Sequence, residues 1–162
     1  MGALRAIGTE ARPILFTGTV KEPGSWLFLV IQSPSMVWNQ GSVLRHVTIE
    51  YAQWNLLVQT ATVHLSDCVL RHASEVGLWA SLSSLVVEGC QIVDNGTYGV
   101  ENSYGSLILA ANNWWGDASG PYHPECNPAG AGDAIADSSP PGVVFRPFLS
   151  APGAEPAPVA AG

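Results

Sequence analysis

The sequence predicts an all-β fold, a right-handed parallel β-helix of about five coils whose walls are three parallel sheets. One observation is a repeat of 21 to 22 residues that can be aligned four times, from Ser42, Val63, Leu85 and Leu107. Within each repeat the apolar residues alternate with a period of two, which is the period of a strand and not of a helix. Asp, Gly, Asn and Ser residues separate these short strands and are typical of turns.

The sequence predicts one domain followed by a C-terminal tail. The parallel β-helix domain spans residues 1–149 and divides into a looser first coil and cap (1–41), regular coils (42–116), and a loop with the terminal coil (117–149). Residues 150–162 are rich in Pro and Ala, a composition typical of an extended linker or tail.

In the first coil, two apolar segments, 12–18 and 26–31, predict strands, and Pro23 with Gly24 predicts a turn between them. In the regular coils, the aligned apolar residues form columns that we expect to face a common core, since like strand stacks on like strand. These columns are Leu44, Leu65, Val87 and Leu109; Val47, Cys68, Cys90 and Asn112; Ile49, Leu70, Ile92 and Trp114; and Leu57, Leu78 and Val100. This register predicts that Trp114 closes the lower end of the core.

Two other solenoids explain less of the sequence. The segment from Val87 to Asn95 fits the spacing of a leucine-rich repeat. The residues that follow, 96–106, are rich in Gly, Ser and Asn, and they predict strand and turns instead of the crossing that such a repeat requires. A left-handed β-helix would show a six-residue rhythm, and the sequence has none.

Composition excludes two classes of partner. The net charge is −7 and Lys and Arg together number six, so the basic clusters that nucleic-acid binding requires are not expected. The sequence has no apolar run of about 18 residues, so we expect no membrane span. Met1–Glu10 lack a basic region followed by an apolar stretch, so no signal peptide is visible in this chain.

Three cysteines do not predict a disulfide framework. Cys68 and Cys90 fall in one inward column a repeat apart, so we expect neighbouring coils to bring them close together. That distance allows a bridge, although we favour free buried thiols that fill space as small apolar side chains.

Several segments resemble the bacterial parallel β-helix repeat proteins (PbH1 repeats) of the pectate-lyase-like superfamily. The similar segments are residues 13–18 with 23–26, residues 42–52, and residues 112–121 with 132–134 and 145–149. Together they extend from about residue 12 to residue 149, and they are specific for the fold more than for an activity. The resemblance implies an extracellular or cell-surface location, with this chain a fragment of a longer exported protein. One departure is Leu27-Phe28-Leu29, where relatives have a Gly-Ile pair after the position of Trp26.

The same resemblance suggests where catalysis would lie if the chain were a polysaccharide-cleaving enzyme. Arg71, His72 and Asp94 lie in adjacent outward columns and are the candidates for an acid and base cluster. Calcium is expected only under this alternative, where it would hold an acidic sugar. No outward column stacks two carboxylates, and Glu50 beside Arg71 predicts an exposed ion pair of little energetic weight. We therefore expect no catalytic role and no cofactor.

Outward tryptophans predict a carbohydrate-binding surface. Trp79 is expected to face outward in a column with Val58 and Glu101, with Trp54 in the turn above. Indole rings pack against sugar rings, and carboxylates accept hydrogen bonds from sugar hydroxyls. The candidate binding residues are therefore Trp54, Trp79 and Glu101.

A second outward column is unusually apolar and contains Val43, Val86 and Ile108, with His64 between them. Such a row is expected to be covered by a loop, by a terminal segment or by a second copy of the chain, so self-association is one hypothesis. In the loop, His123 and Cys126 have a spacing found among metal ligands, but two ligands fall short of a site, and no metal is expected.

These features favour a non-catalytic structural or recognition module of an exported bacterial protein, which presents flat sheet faces to a glycan or protein partner. The alternative is a fragment of a polysaccharide lyase or glycoside hydrolase that acts in a groove along one sheet. An enzyme requires such a groove with opposed acid and base groups, whereas a scaffold requires only flat faces.

Overall fold

The structure is a computed structural model that describes residues 3–33, 41–138, 140 and 142–154. These residues contain fifteen strands and no helix. The strands are β1 (Arg5–Ile7), β2 (Ile14–Phe16), β3 (Trp26–Gln32), β4 (Ser42–Arg45), β5 (Val47–Glu50), β6 (Ala52–Gln59), β7 (Thr62–Ser66), β8 (Val69–Arg71), β9 (Val76–Ser81), β10 (Ser84–Glu88), β11 (Gln91–Val93), β12 (Tyr98–Tyr104), β13 (Leu107–Leu109), β14 (Ile135–Asp137) and β15 (Val143–Val144). Accordingly, the described part of the chain offers no helix that could cross a membrane.

The strands form three sheets in which every pair of neighbours is parallel. The first sheet has the order β1-β4-β7-β10-β13-β15, the second β2-β5-β8-β11, and the third β3-β6-β9-β12-β14. The chain visits the three sheets in turn, so each circuit adds one strand to each sheet. In the fifth circuit, a single bridge between Gln91 and Trp114 continues the second sheet. This is the parallel β-helix that the sequence predicts, with β1 as an additional strand in the first coil.

The core lies between the three sheets and consists of stacked apolar side chains. In the first sheet, Leu44 pairs with Leu65 and Leu65 with Val87, and all three are fully buried. In the second sheet, Ile49, Leu70 and Ile92 form an equivalent buried column. The predicted inward register is therefore confirmed for the second, third and fourth coils at these positions. Burial of such side chains contributes roughly 1.5 to 3 kcal/mol each.

The corners of the regular coils are turned at residues with a positive φ angle. The corner between the first and second sheets uses His46, Asp67, Gly89 and Asn112, the next uses Tyr51, His72, Asp94 and Gly116, and the third uses Thr60, Leu82 and Gly105. Left-handed backbone bends the chain sharply within one residue, and Gly, Asn and Asp adopt it most readily. The polar residues that recur between the strands thus have a backbone role.

Inward polar side chains beside the corners satisfy the backbone where the strands end. Asn113 is the clearest case: its Oδ1 accepts a hydrogen bond from the backbone N–H of Cys90 at 2.8 Å, and its Nδ2 donates to the carbonyl of Val87 at 2.7 Å. At the third corner, the Ser106 hydroxyl accepts from the N–H of Ser83 at 3.1 Å. A buried N–H without an acceptor would destabilise the fold, and these side chains supply the acceptors. Because donor and acceptor lie on successive coils, the contacts also join each coil to the next.

One extra residue in β12 changes the register of everything that follows. Asn102 pairs with Ala80, whereas Tyr104 pairs with Ser81, so Ser103 is a bulge. The predicted positions of Leu109, Asn112 and Trp114 in the inward columns are therefore wrong, because a shift of one residue exchanges the two faces of a strand. The side chains that are buried instead are Ala110, Asn113 and Trp115.

The same shift overturns the outward position predicted for Ile108. Ile108 pairs with Leu85 and is fully buried, whereas Leu109 pairs with Val86 and is 43% exposed. Ile108 therefore cannot belong to a self-association surface, and Leu109 takes its place in the outward column.

A second correction concerns β6. Leu56 pairs with Leu78 and is fully buried, whereas Leu57 pairs with Trp79 and faces outward. The predicted assignment of Leu57 to the core and of Val58 to the surface is wrong, because the repeat lengthens from 21 to 22 residues between the second and third sheets of this coil. Val58 is fully buried.

Cys68 and Cys90 lie on neighbouring coils, and both are buried and free, as favoured from the sequence. The backbone N–H of Cys68 donates to Cys90 Sγ at 3.4 Å. Burial raises the pKa of Cys90 well above its ordinary value, so its thiol stays protonated and behaves as an apolar filler with a weak polar contact.

Candidate functional site

Three aromatic side chains form a row on the outer face of the third sheet. They are Phe28 on β3, Trp54 on β6 and Trp79 on β9, so each lies on a neighbouring strand. The ring centroids of Phe28 and Trp54 are 6.3 Å apart, and those of Trp54 and Trp79 are 6.1 Å apart with their planes inclined by only 8°. The row therefore runs along the axis of the solenoid. The sequence predicted the outward side of Trp79 but placed Trp54 in a turn, and it did not include Phe28.

Hydrogen bonds fix the central ring of this aromatic row. Trp54 Nε1 donates to Glu75 Oε2 at 2.8 Å, and Gln53 Nε2 donates to Glu75 Oε1 at 2.7 Å. The Gln53 amide and the Trp54 indole together lower the pKa of Glu75, so this carboxylate is charged at neutral pH. The Trp54 ring is thus held in one orientation, and the negative charge of Glu75 lies beside it.

Glu101 lies next to the aromatic row, as the sequence predicted for the candidate carboxylate. It pairs in register with Trp79, and its Oε1 accepts a hydrogen bond from the Ser103 hydroxyl at 2.7 Å. Val30 pairs with Leu57, which pairs with Trp79, so the apolar surface extends along the sheet beside the rings. Val30 is 45% exposed. The outer face of the third sheet therefore combines aromatic and apolar area with two carboxylates at its margin.

The candidate acid and base cluster lies at the corner between the second and third sheets. Arg71 Nε and Nη2 donate to Glu50 Oε2 at 2.8 and 2.7 Å, and Lys21 Nζ lies 3.2 Å from Glu50 Oε1. The predicted exposed ion pair is wrong with respect to Glu50, whose side chain is only 5% exposed. Burial by itself would raise the pKa of Glu50, but the hydrogen bonds from Arg71, Lys21 and Thr17 outweigh it and lower the pKa.

His72 and Asp94 are consecutive in this corner column, as the sequence placed them. The His72 ring stacks on Tyr51 with a centroid distance of 5.1 Å. The backbone N–H of Asp94 donates to Asp133 Oδ1 at 3.0 Å, which ties the corner to the loop after the regular coils. Arg71, His72 and Asp94 line neither of the two cavities described below.

A groove of about 510 Å³ runs along the outer face of the first sheet. His64 Nε2 lies 2.8 Å from Glu88 Oε1, and Arg45 Nε lies 3.5 Å from Asp67 Oδ2. Leu149 and Ala154 of the C-terminal segment also line the groove. The groove was not predicted from the sequence, although outward positions two residues apart on neighbouring strands are within reach of each other.

The apolar column predicted on the same sheet is present in altered form. Val43, His64 and Val86 pair in succession, followed by Leu109 and Val144. Val86 and Val144 are 37% and 40% exposed. The column is thus interrupted by the imidazole of His64, which also belongs to the groove.

His123 and Cys126 of the loop cap a turn. His123 Nδ1 accepts hydrogen bonds from the backbone N–H groups of Cys126 and Glu125, at 3.1 and 3.3 Å, and its ring stacks on Phe145. Across the described ranges, no three His, Cys, Asp or Glu side chains converge as a metal site would require.

No protein family model, curated protein or solved structure matches this chain. The aromatic row and the groove are therefore the features from which a function can be inferred. They lie on different sheets and differ in chemistry, since the row is apolar with carboxylates at its margin and the groove is lined mainly by polar side chains.

Proposed function

We propose that the chain is a non-catalytic recognition module that binds a glycan on the outer face of its third sheet. The observation that carries the proposal is the aromatic row of Phe28, Trp54 and Trp79. The resemblance to bacterial parallel β-helix repeat proteins of the pectate-lyase-like superfamily supports a further proposal, that the module belongs to an exported bacterial protein at the cell surface or outside the cell.

The chemistry of the aromatic row suits a sugar chain that lies along the solenoid axis. Sugar rings have apolar C–H faces that pack on aromatic rings, while their hydroxyl groups require hydrogen-bond partners at the margin. Glu101 pairs in register with Trp79, and Gln53 shares the carboxylate of Glu75 with Trp54, so polar groups that could bond such hydroxyl groups lie next to the rings. Because Glu75 fixes Trp54, little side-chain entropy is lost when a ligand binds.

A glycan array with the purified chain tests this proposal, followed by titration of the best ligand. Trp79→Ala should weaken binding about tenfold or more, since it removes the apolar contact area of the ring and a stacking contribution of up to about 1.5 kcal/mol. Val86→Ala, which shortens an exposed apolar side chain on the first sheet, is the matched control and should leave the affinity unchanged. Binding that survives Trp79→Ala would refute the assignment to this face, and capture of a protein instead of a glycan would refute the ligand class.

The groove on the first sheet favours a second candidate function, a polysaccharide lyase or glycosidase. A histidine next to a carboxylate is an arrangement that supports general acid and base catalysis, and His64 and Glu88 meet this condition inside a groove. Under this alternative, calcium would serve an acidic substrate. Incubation with a polysaccharide panel, monitored for new reducing ends and for unsaturated products, tests it. Turnover that His64→Ala abolishes would replace the recognition proposal, whereas equal turnover in both proteins would exclude this site.

A further inference from the structure

A separate cavity of about 270 Å³ lies at the other end of the third sheet, between its last strands and the loop that begins at Asp117. Tyr98 on β12 and Ile135 on β14 line it from the sheet, and Tyr122 lines it from the loop. Its volume is just below the usual range of ligand sites, which begins at about 300 Å³, so it suits a molecule of about the size of one monosaccharide.

His123 lines this cavity and supplies a hydrogen-bond donor that the protein leaves unused. The residue is only 5% exposed. Its Nδ1 accepts from the backbone N–H groups of Glu125 and Cys126, so the proton of the neutral ring is on Nε2. No described residue accepts a hydrogen bond from Nε2. Nε2 is accessible from the cavity, so an acceptor atom of a ligand in the cavity could take this hydrogen bond.

The carboxylates and tyrosine rings that line the cavity around this donor favour a positively charged ligand. Glu125 and Asp137 both line the cavity, whereas none of its described lining residues is Lys or Arg. Asp137 is held in place because its Oδ2 accepts from the backbone N–H groups of Gly142 and Val143, at 2.8 and 3.0 Å. Tyrosine rings add a favourable electrostatic surface for an ammonium group.

We propose that this cavity binds a protonated amine with a hydroxyl group on the neighbouring carbon, the unit found in a non-acetylated amino sugar. The ammonium group lies near the carboxylates of Glu125 and Asp137, and the hydroxyl oxygen accepts from His123 Nε2. The sugar ring packs beside Tyr98 and Tyr122. This site is distinct from the aromatic row and does not rest on the function proposed for that row.

Titration with glucosamine tests the proposal at a pH of about 6, where the amine is protonated. Glucose, which lacks the amine, and N-acetylglucosamine, which lacks the charge, are the matched ligands. We expect glucosamine to bind at least about tenfold more tightly than either, since only it pairs with the carboxylates. Equal affinity for the three sugars, or no binding of glucosamine, would overturn the proposal.

Variants locate the ligand. Glu125→Gln should weaken glucosamine binding by about fivefold or more, because it removes a charge but keeps the shape of the side chain. Glu101→Gln removes a carboxylate on the same sheet outside the cavity, and Trp79→Ala disrupts the aromatic row, so both should leave the affinity unchanged. In a two-dimensional NMR titration, the shifted signals should include Tyr98, Tyr122 and His123. An unchanged affinity in Glu125→Gln, or a loss of binding in Trp79→Ala, would show that the amine is not recognised in this cavity.

Discussion

The guanidinium of Arg71 lies against the buried carboxylate of Glu50 on the neighbouring strand of the second sheet, with both N···O distances under 3 Å. The two residues also pair in register, so the contact joins two successive coils. Only the arginine side is solvated, since 44% of its side chain is exposed compared with 5% for the glutamate. The Glu50 carboxylate is therefore desolvated like a core group, whereas the Arg71 guanidinium is still in contact with solvent.

Removing one partner of this pair is expected to destabilise the fold. Arg71→Leu should lower the free energy of unfolding by about 3 kcal/mol, because it leaves a buried carboxylate with only Lys21 and Thr17. The control is Arg45→Leu, since the Arg45–Asp67 pair is exposed on both sides and should contribute under about 1 kcal/mol. Urea unfolding followed by circular dichroism measures both, and equal losses would contradict the burial of Glu50.

Ionisation of the Asp133 carboxyl should lower the stability of the fold as the pH rises. Burial raises the pKa of Asp133 from 3.8 to about 6, although hydrogen bonds from Asn95 and the backbone N–H of Asp94 partly offset this. Between these two values, the folded state binds more protons than the unfolded state. The contribution of Asp133 to the free energy of unfolding is therefore complete below about pH 4. It is lost as the pH rises through about 6, and the loss is at most about 3 kcal/mol.

Comparison with a variant isolates this contribution. Asp133→Asn lowers overall stability, since its amide cannot accept as many hydrogen bonds, but it should also remove the part of the pH slope that belongs to Asp133. Thermal unfolding at several pH values between 4 and 7 measures the slope in both proteins. If the slopes agree, the raised pKa of Asp133 is wrong.

The register after the bulge can be tested with two adjacent residues. Ile108→Asp places a charge in the core and should cost several kcal/mol or prevent folding. Leu109→Asp changes an outward side chain that is 43% exposed, so the loss should be under about 1 kcal/mol. The sequence-based register predicts the opposite order, so chemical unfolding of the two variants decides between them.

The corner residues Leu82 and Gly105 provide a reciprocal test of backbone strain. Both have φ near 50° and lie one coil apart at the same corner, and Leu82 is 52% exposed. Leu82→Gly should stabilise the fold by up to about 1 kcal/mol, because relief of left-handed strain exceeds the extra entropy that glycine loses. Gly105→Leu should destabilise it by a similar amount. Melting temperatures that move in the same direction would contradict this explanation.

The sequence predicted the fold class and most of the inward columns, because a fixed period constrains every coil in the same way. It failed where three apolar residues follow one another, at Leu56-Leu57-Val58 and at Leu107-Ile108-Leu109. Alternation cannot distinguish the two faces of such a segment, and the bulge at Ser103 has no signature of its own. The register of these segments depends on pairing with the neighbouring coil.

The candidate sites were harder to predict for a related reason. Trp79 and Glu101 share a column and were found by stacking repeats, whereas His64 and Glu88 are two positions out of register and meet only diagonally. Phe28 belongs to the first coil, which the repeat does not cover. The donor of His123 depends on a loop conformation that carries no periodicity.

The bulge at Ser103 shows how a solenoid of this kind can acquire a new surface. Inserting or deleting one residue in a strand exchanges the buried and exposed sides of the segment that follows, until another irregularity restores them. A point substitution alters one side chain, but this change presents a different set of residues, such as Leu107 and Leu109 in place of Ile108. Short insertions and deletions are therefore an evolutionary route by which one repeat architecture diversifies what it displays.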